Sequence, residues 1–339
     1  MRRYPLPTCQ GGDTIGADLP TASLCRLVVS RSAPAVDARP NTNLPPSDQQ
    51  IRWHSYSFRW NLDHSALDQT RIRRYNGNAE ETVTLETTVI QLVQVKDYLD
   101  ELLHVSAFDS ESNGLIIGGH PTVTKVGLAI NCSFQAIEAA AQRHCELLVT
   151  YHAAQVSTDA HLLEQKYDRL RALGINLYAA HESLDLAGDL STAGALARTV
   201  RVFSQGTFSP DGERDFGLHG TTTGQFAQFV TRVGNQLGTE PRSWQNSDSF
   251  GHVAIVTGWG GQPEWMSRAQ ALGCDTFLTG EAGMFGILFA REAGLNLVLA
   301  GHYATEAPAM MTLAARLARD LNVDVTFIPE DLIEAGGMH

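Results

Sequence analysis

The stretch Ala300-Gly301-His302-Tyr303-Ala304-Thr305-Glu306 sets a histidine and a carboxylate four residues apart, at the point where a strand hands over to a helix. The run before it, Leu295-Asn296-Leu297-Val298-Leu299-Ala300, is short, apolar and preceded by a glycine, which predicts a buried strand. The run after it, Pro308 to Leu321, carries apolar residues at helical spacing. A helix beginning near Tyr303 puts His302 and Glu306 on one side of its first turn, at the carboxyl end of a strand, where α/β proteins place their ligands. Taken alone, the pair reads as a capping and solubility feature. Two further stretches of the same form change that reading.

In Leu147-Leu148-Val149-Thr150-Tyr151-His152-Ala153, His152 emerges as an apolar strand stops. In Leu177-Tyr178-Ala179-Ala180-His181-Glu182-Ser183-Leu184-Asp185, His181 and Asp185 lie just past another. Parallel strands of one sheet finish on the same edge, so His152, His181, Asp185, His302 and Glu306 are expected to converge. Imidazole and carboxylate together suit zinc, manganese, iron or cobalt, and carboxylates can bridge two such ions.

The surrounding pattern supports this. Apolar residues from Val89 to Leu103 recur at helical spacing, and strand Gly114–Gly118 follows. An alternation comes next: strand Val126–Ile130, helix Phe134–Arg143, strand Leu147–Thr150, helix Asp159–Leu173 and strand Asn176–Ala180. Residues 200 to 250 are less regular, with a strand at Val200–Ser204, a helix at Thr223–Leu237 and a polar connection from Gly238 to Ser249. The alternation resumes with strands His252–Val256 and Thr276–Leu278, helices Glu264–Leu272 and Ala282–Ala293, and a last strand at Val323–Ile328. The fold class is therefore α/β: two lobes of mostly parallel sheet covered by helices, about residues 85–200 and 250–330, with the metal site at the strand ends between them.

At 339 residues and 43% hydrophobic composition the chain can bury a sizeable core. A net charge of −12 argues against a general nucleic-acid binder. No apolar run approaches the roughly 18 residues of a membrane span, and no signal sequence opens the chain, so a cytoplasmic location is expected. Five cysteines, with no CxxC, indicate neither a disulfide framework nor a zinc ribbon. No GxxxxGK[ST], HExxH or GxSxG pattern occurs.

Residues 1–84 differ from the rest. They are rich in Pro, Ser, Asn, Asp and Arg and lack lysine, and through Glu80 they carry ten Arg against seven acids. This composition reads as a low-complexity, disordered or loosely attached extension of a metal-binding domain spanning 85–339. Trp53, Tyr56, Phe58 and Trp60 among Arg52 and Arg59 follow no nucleic-acid-binding module, although a basic tail would allow such binding.

From about Val89 to Ile328 the sequence resembles the dinuclear-metal family named for the yeast NGG-interacting factor, whose members are often called GTP cyclohydrolase I type 2 homologues. The resemblance rests on Ser112-Asn113-Gly114-Leu115, Leu128-Ala129-Ile130-Asn131 and Thr279-Gly280-Glu281, and above all on Gly301-His302-Tyr303-Ala304-Thr305-Glu306. It implies metal ligands at His152, Asp185, His302 and Glu306, a site-lining role for His181, one or two divalent ions per protomer, and a ring-shaped homo-oligomer, often a hexamer. One departure stands out. The family has Thr-His-His where this chain has Thr150-Tyr151-His152, and a phenol ligates metal poorly unless the ion strips its proton.

The implied activity is a metal-dependent hydrolase acting on a small molecule through metal-activated water, with His181 or Glu182 moving protons. The alternative is a non-enzymatic metal-binding scaffold or metal-delivery protein. Thr257-Gly258-Trp259-Gly260-Gly261 reads as a tight strand-to-helix turn or an anion cradle, but not as a dinucleotide fingerprint. Glu281 is either an additional acid near the site or an ordinary helix-start carboxylate.

Overall fold

The computed structural model describes residues 71–76, 79–84, 88–109, 112–154 and 159–330. Residues 1–70, with the aromatic and arginine positions between 52 and 60, lie outside the described residues. Within the stretch read as an extension, β1 (Arg71–Asn76) and β2 (Ala79–Thr84) pair antiparallel.

The first regular half begins with β3 (Ile90–Gln91) and α1 (Leu92–Leu102), followed by β4 (Asn113–Ile117), β5 (Thr122–Val123) and β6 (Lys125–Asn131). Then come α2 (Phe134–Gln142), β7 (Leu147–His152), α3 (Ala160–Leu173), β8 (Asn176–Ala180), α4 (Glu182–Asp185) and α5 (Thr192–Val200). Local chemistry sets these boundaries. Ser133 caps α2 by accepting from Ala136 N at 3.1 Å, and Asp159 caps α3 by accepting from Leu162 N at 2.8 Å. The interior of β6, from Val126 to Ile130, is buried throughout, as a strand covered on both faces requires.

The second half holds β9 (Phe203–Phe208), β10 (Gly217–Thr221), α6 (Phe226–Leu237), β11 (Arg242–Trp244), β12 (His252–Val256) and α7 (Pro263–Ala271). It continues with β13 (Thr276–Thr279), α8 (Met284–Glu292), β14 (Asn296–Leu299), α9 (His302–Leu321) and β15 (Asp324–Phe327).

Two sheets result. The first runs β15-β6-β7-β8-β4, with only β4 antiparallel to its neighbour. The second runs β11-β14-β13-β12-β10-β9. Only β12, β13 and β14 are parallel there; β11 and the β9–β10 pair are antiparallel additions. This sheet is thus mixed rather than mostly parallel. The reason is local: β9 and β10 are adjacent in sequence, which favours antiparallel pairing, whereas parallel neighbours need crossovers. The polar connection expected at Gly238–Ser249 contains the three-residue edge strand β11, too short to leave a period.

Apolar side chains fill both faces of each sheet by strand alternation. Leu147 and Val149 join one cluster and Leu148 another; Val253 and Ile255 join a third and Ala254 a fourth. The chain crosses between the sheets twice. α5, which follows the first sheet, packs Ala193, Leu196 and Val200 into the core of the second. α9, which follows the second sheet, packs Ala309, Met310, Leu313 and Leu317 into the core of the first. β15 then pairs with β6. The sheets therefore do not follow the 85–200 and 250–330 division, because the last strand completes the first sheet.

Candidate metal centre

His152 ends β7 and His181 follows β8, both in the first sheet, while His302 and Glu306 open α9 just past β14 of the second. The expectation that one sheet edge gathers all three sets is corrected here. They meet across two sheets, brought together by the crossing of α9.

The ligating atoms of His152, His302 and Glu306 lie within 4.8 Å of one another. Glu306 Oε1 is 3.0 Å from His302 Nε2, and Oε2 is 3.6 Å from His152 Nε2. Glu306 is only 3% exposed, and its Oε2 is buried without a hydrogen-bond partner. A buried carboxylate oxygen left in that state is costly unless a cation or proton satisfies it.

Both imidazoles are oriented from behind. Asn131 donates from its backbone N and Nδ2 to Glu330 Oε2, at 2.9 and 3.2 Å, so its Oδ1 is free to accept from His152 Nδ1 at 2.8 Å. Ser133 Oγ also donates to Glu330, at 2.9 Å. The proton is thereby held on Nδ1, and the Nε2 lone pair faces Glu306. On the other side Glu281 Oε2 lies 3.3 Å from His302 Nδ1, which directs Nε2 to Glu306 in the same way. Glu281 therefore serves as an orienting partner of His302. An imidazole held at one nitrogen and presenting the other is the arrangement found around protein-bound metals.

Asp185 lies beside this group in a different state. Tyr151 Oη donates to its Oδ1 and Oδ2 at 2.9 and 3.0 Å, and Thr192 Oγ1 donates to Oδ1 at 2.6 Å. Thr257 Oγ1 in turn donates to Thr192 Oγ1 at 3.0 Å, linking the two halves. Asn113, 2% exposed, accepts from Ser183 N at 3.0 Å and so fixes the short helix that carries Asp185. The His181 ring stands 5.0 Å from Tyr151 and 5.5 Å from His152, centroid to centroid. Glu182 is taken up by Arg214 at 2.5 Å, which leaves it poorly placed for proton transfer.

The electrostatics reflect burial around concentrated charge. Burial, with Asp185 and Glu281 adding to it, pushes Glu306 up to about 7 against the pull of His302. Burial, with His181 and His302, drives His152 down to about 3, so it is neutral and ready to ligate. For His302 burial acts downward, but Glu306 and Glu281 outweigh it and hold the imidazole at about 9. Burial first, then Asp185 and Glu306, keep the Tyr151 phenol protonated far above its ordinary range, and burial raises Asp185.

The glycine-rich turn after β12 is a packing device. Gly258 has φ +58°, and a Cβ there would collide with Glu306 Oε1 and lie 3.0 Å from His302 Nε2. Its N–H donates to Thr305 Oγ1 at 3.0 Å, and Gly261 N–H donates to the Glu281 carbonyl at 3.1 Å. These amides are used inside the protein, which favours the tight-turn reading over the anion cradle. Two neutral-capable imidazoles, a partnerless buried carboxylate oxygen and a glycine that leaves space beside them fit a divalent first-row metal ion.

The matching family profile is that of Duf34/NIF3 (NGG1p interacting factor 3), over residues 90–332. The chain belongs to this family. NIF3 relatives named GTP cyclohydrolase 1 type 2 homolog include one from Halobacterium salinarum, 31% identical over 246 residues, covering 68% of this chain and 94% of its own. Another, from Escherichia coli K12, is 28% identical over 245 residues, covering 69% and 96%. Among solved structures, the protein ybgI, of unknown function, superposes with a TM-score of 0.64 at 25% identity, over 72% of this chain and 100% of that one. TTHA1606 from Thermus thermophilus gives 0.61 at 25%, with the same coverage. The NIF3 match starts at β3, so residues 1–89 lie outside it.

Sequence reasoning missed Glu330 and Thr192. Glu330 lies 199 positions from Asn131, past the last strand and outside any periodic pattern. Thr192 begins a helix whose small residues, Ala193, Gly194 and Ala195, leave little apolar signal.

Proposed function

We propose that this NIF3-family chain binds divalent metal and is a metal-dependent hydrolase of a small molecule with an electrophilic carbon or phosphorus. The observation that carries the reading is the convergence of two imidazoles, each held at Nδ1, on one buried carboxylate. His152, His302 and Glu306 hold the first ion. Asp185 is the fourth ligand and faces a second, weaker position in which Tyr151 stands where a histidine would complete the set. Zinc, manganese, iron and cobalt all suit these donors.

A bound ion would supply Lewis acidity and lower the pKa of a coordinated water toward neutrality. The chain's own residues do the positioning: Asn131 and Glu281 fix the rings, Tyr151 and Thr192 fix Asp185, and the His181 ring lines the site beside Tyr151 and His152. The relatives' name points to a GTP-like substrate.

The competing reading, a metal-binding scaffold or delivery protein, is favoured by one feature: Glu182 is already neutralised by Arg214. Among the described residues no helix is long and apolar enough to cross a membrane. We place the protein in the cytoplasm and as a homo-oligomer, hexameric by resemblance. Met284, Phe285 and Leu288 on α8 support the assembly, being 70%, 69% and 44% exposed.

Elemental analysis of the purified protein, with a hydrolysis screen on nucleotides, phosphoesters and cyclic amides, tests the reading. Turnover that disappears in Glu306→Ala supports the hydrolase. Stoichiometric metal without turnover of any of these substrates favours the scaffold, and protein without metal overturns both.

A further inference from the structure

A second cluster of metal-ligating side chains lies in the other sheet, away from the centre just described. His219 is on β10, His252 opens β12, and Cys274 sits in the turn before β13; their ligating atoms lie within 4.8 Å of one another. β12 runs from His252 toward Gly258, which packs on Glu306, so this strand has one cluster at each end. At about 3.3 Å per residue the two are roughly 20 Å apart.

Strand register explains the meeting. β10 and β12 are antiparallel, with His219 opposite Ala254 and Thr221 opposite His252. The two histidines are thus diagonal neighbours on one face, within reach of long side chains. Asp275 fixes the third member: its carboxylate accepts from Gly251 N at 3.3 Å, His252 N at 3.2 Å and Thr276 Oγ1 at 2.7 Å. This ties the start of β12 to the turn that carries Cys274.

The proton arrangement suits a cation. His252 Nδ1 lies 3.1 Å from the carbonyl of Gly273, which can only accept, so this nitrogen carries the proton and Nε2 is a bare lone pair. That lone pair faces His219 Nδ1 at 3.2 Å. Two imidazole nitrogens on one tetrahedral zinc are separated by about 3.3 Å, given Zn–N bonds near 2.0–2.1 Å. His219 Nε2 lies over Gly206, where a Cβ would be 2.9 Å away, so the glycine leaves room for the ring. Cys274 is 6% exposed, while both histidines are half-buried.

We propose that His219, His252 and Cys274 form a second, separate metal site, selective for a thiolate-accepting ion of the zinc class. Two imidazoles and one thiolate are the donors zinc takes, with the fourth position left to water. Binding shifts the proton between the two imidazoles to His219 Nε2 and displaces the thiol proton of Cys274, so uptake releases one proton to solvent. The bound ion ties the β9–β10 hairpin to β12 and β13. The proposal does not depend on the function assigned to the first centre, whose candidate ligands include no sulfur.

Cobalt(II) separates the two sites, because thiolate coordination gives a sulfur-to-cobalt charge-transfer absorption that nitrogen and oxygen ligands do not. Metal-free full-length protein is titrated with cobalt(II), then with zinc as competitor. The expected result is a charge-transfer band saturating near one ion per chain, retained in Glu306→Ala, abolished in Cys274→Ser and displaced by zinc. His219→Ala should weaken the affinity at least tenfold. Circular dichroism shows whether each variant is folded, and His252→Ala replaces any that is not. Absence of the band in the wild-type protein, or its persistence unchanged in Cys274→Ser, would overturn the site.

Discussion

The two sides of the first centre contain similar chemistry in opposite states. On one, Glu306 Oε2 has no hydrogen-bond partner, and His152 and His302 present Nε2 to Oε2 and Oε1 respectively. On the other, both oxygens of Asp185 already accept hydrogen bonds, from Tyr151 and Thr192. A buried carboxylate oxygen without a partner is open to a cation at once; a carboxylate already held by two hydroxyls can ligate only by giving up part of that network, which makes Asp185 the weaker of the two donors. The difference teaches that residue type alone does not define a ligand, and that the hydrogen bonds around a carboxylate decide whether it is available.

The largest expected effect is on the open side. Glu306→Ala or His302→Ala should lower metal affinity by about a hundredfold or more, since each removes one of few proposed ligands. Wild-type metal content in both variants, with the fold intact, would show that the pair is only a helix-start feature. On the closed side, Tyr151→His should raise the metal-to-protomer ratio from about one toward two. If the wild type already holds two ions tightly, and Tyr151→Phe rather than Tyr151→His reduces them, the phenol is itself a ligand and the contrast collapses.

Weaker effects probe the orienting groups. Asn131→Ala should cost about 10–100-fold in affinity by releasing the His152 ring, whereas Glu281→Gln, at a position 44% exposed, should cost less. Equal losses in the two variants would mean that burial of the partner does not matter.

The effect of pH is graded rather than all-or-none. With His302 held at about 9, metal must displace its proton at neutral pH, so affinity should fall about tenfold per pH unit from 9 to 7. Competition with a chelator measures this, and a flat profile would exclude His302 Nε2 as a ligand. The sign for the metal-free protein follows from the same shift. The raised pKa stabilises the fold fully below the ordinary 6.5 and loses that contribution as pH rises through about 9.

Much of this was legible in the sequence. Strands with both faces buried leave uninterrupted apolar runs, which is why β6, β7, β8, β12 and β14 were readable. The histidines and carboxylates at their ends were readable as candidates for the same reason. What was not legible depended on long-range pairing. The assignment of β15 to the first sheet, the Glu330–Asn131–His152 chain and the occupation of Asp185 by Thr192 each join positions that no local period connects. The β9–β10 pair was obscured because Phe203, Ser204, Gln205 and Thr207 are exposed, so no apolar alternation marks the strand.

The pairing of β15 with β6 has a consequence in time. The other four strands of the first sheet are complete once Ala180 has been made, but the edge partner of β6 waits for Asp324. At ordinary synthesis rates that interval is roughly seven to thirty seconds. Throughout it the apolar face later covered by α9 is bare and one edge of the nascent sheet is unpaired, a hazard for wrong pairing between neighbouring polysomal chains. The first sheet and the candidate metal centre are therefore finished by the same late event, the arrival of α9 and β15.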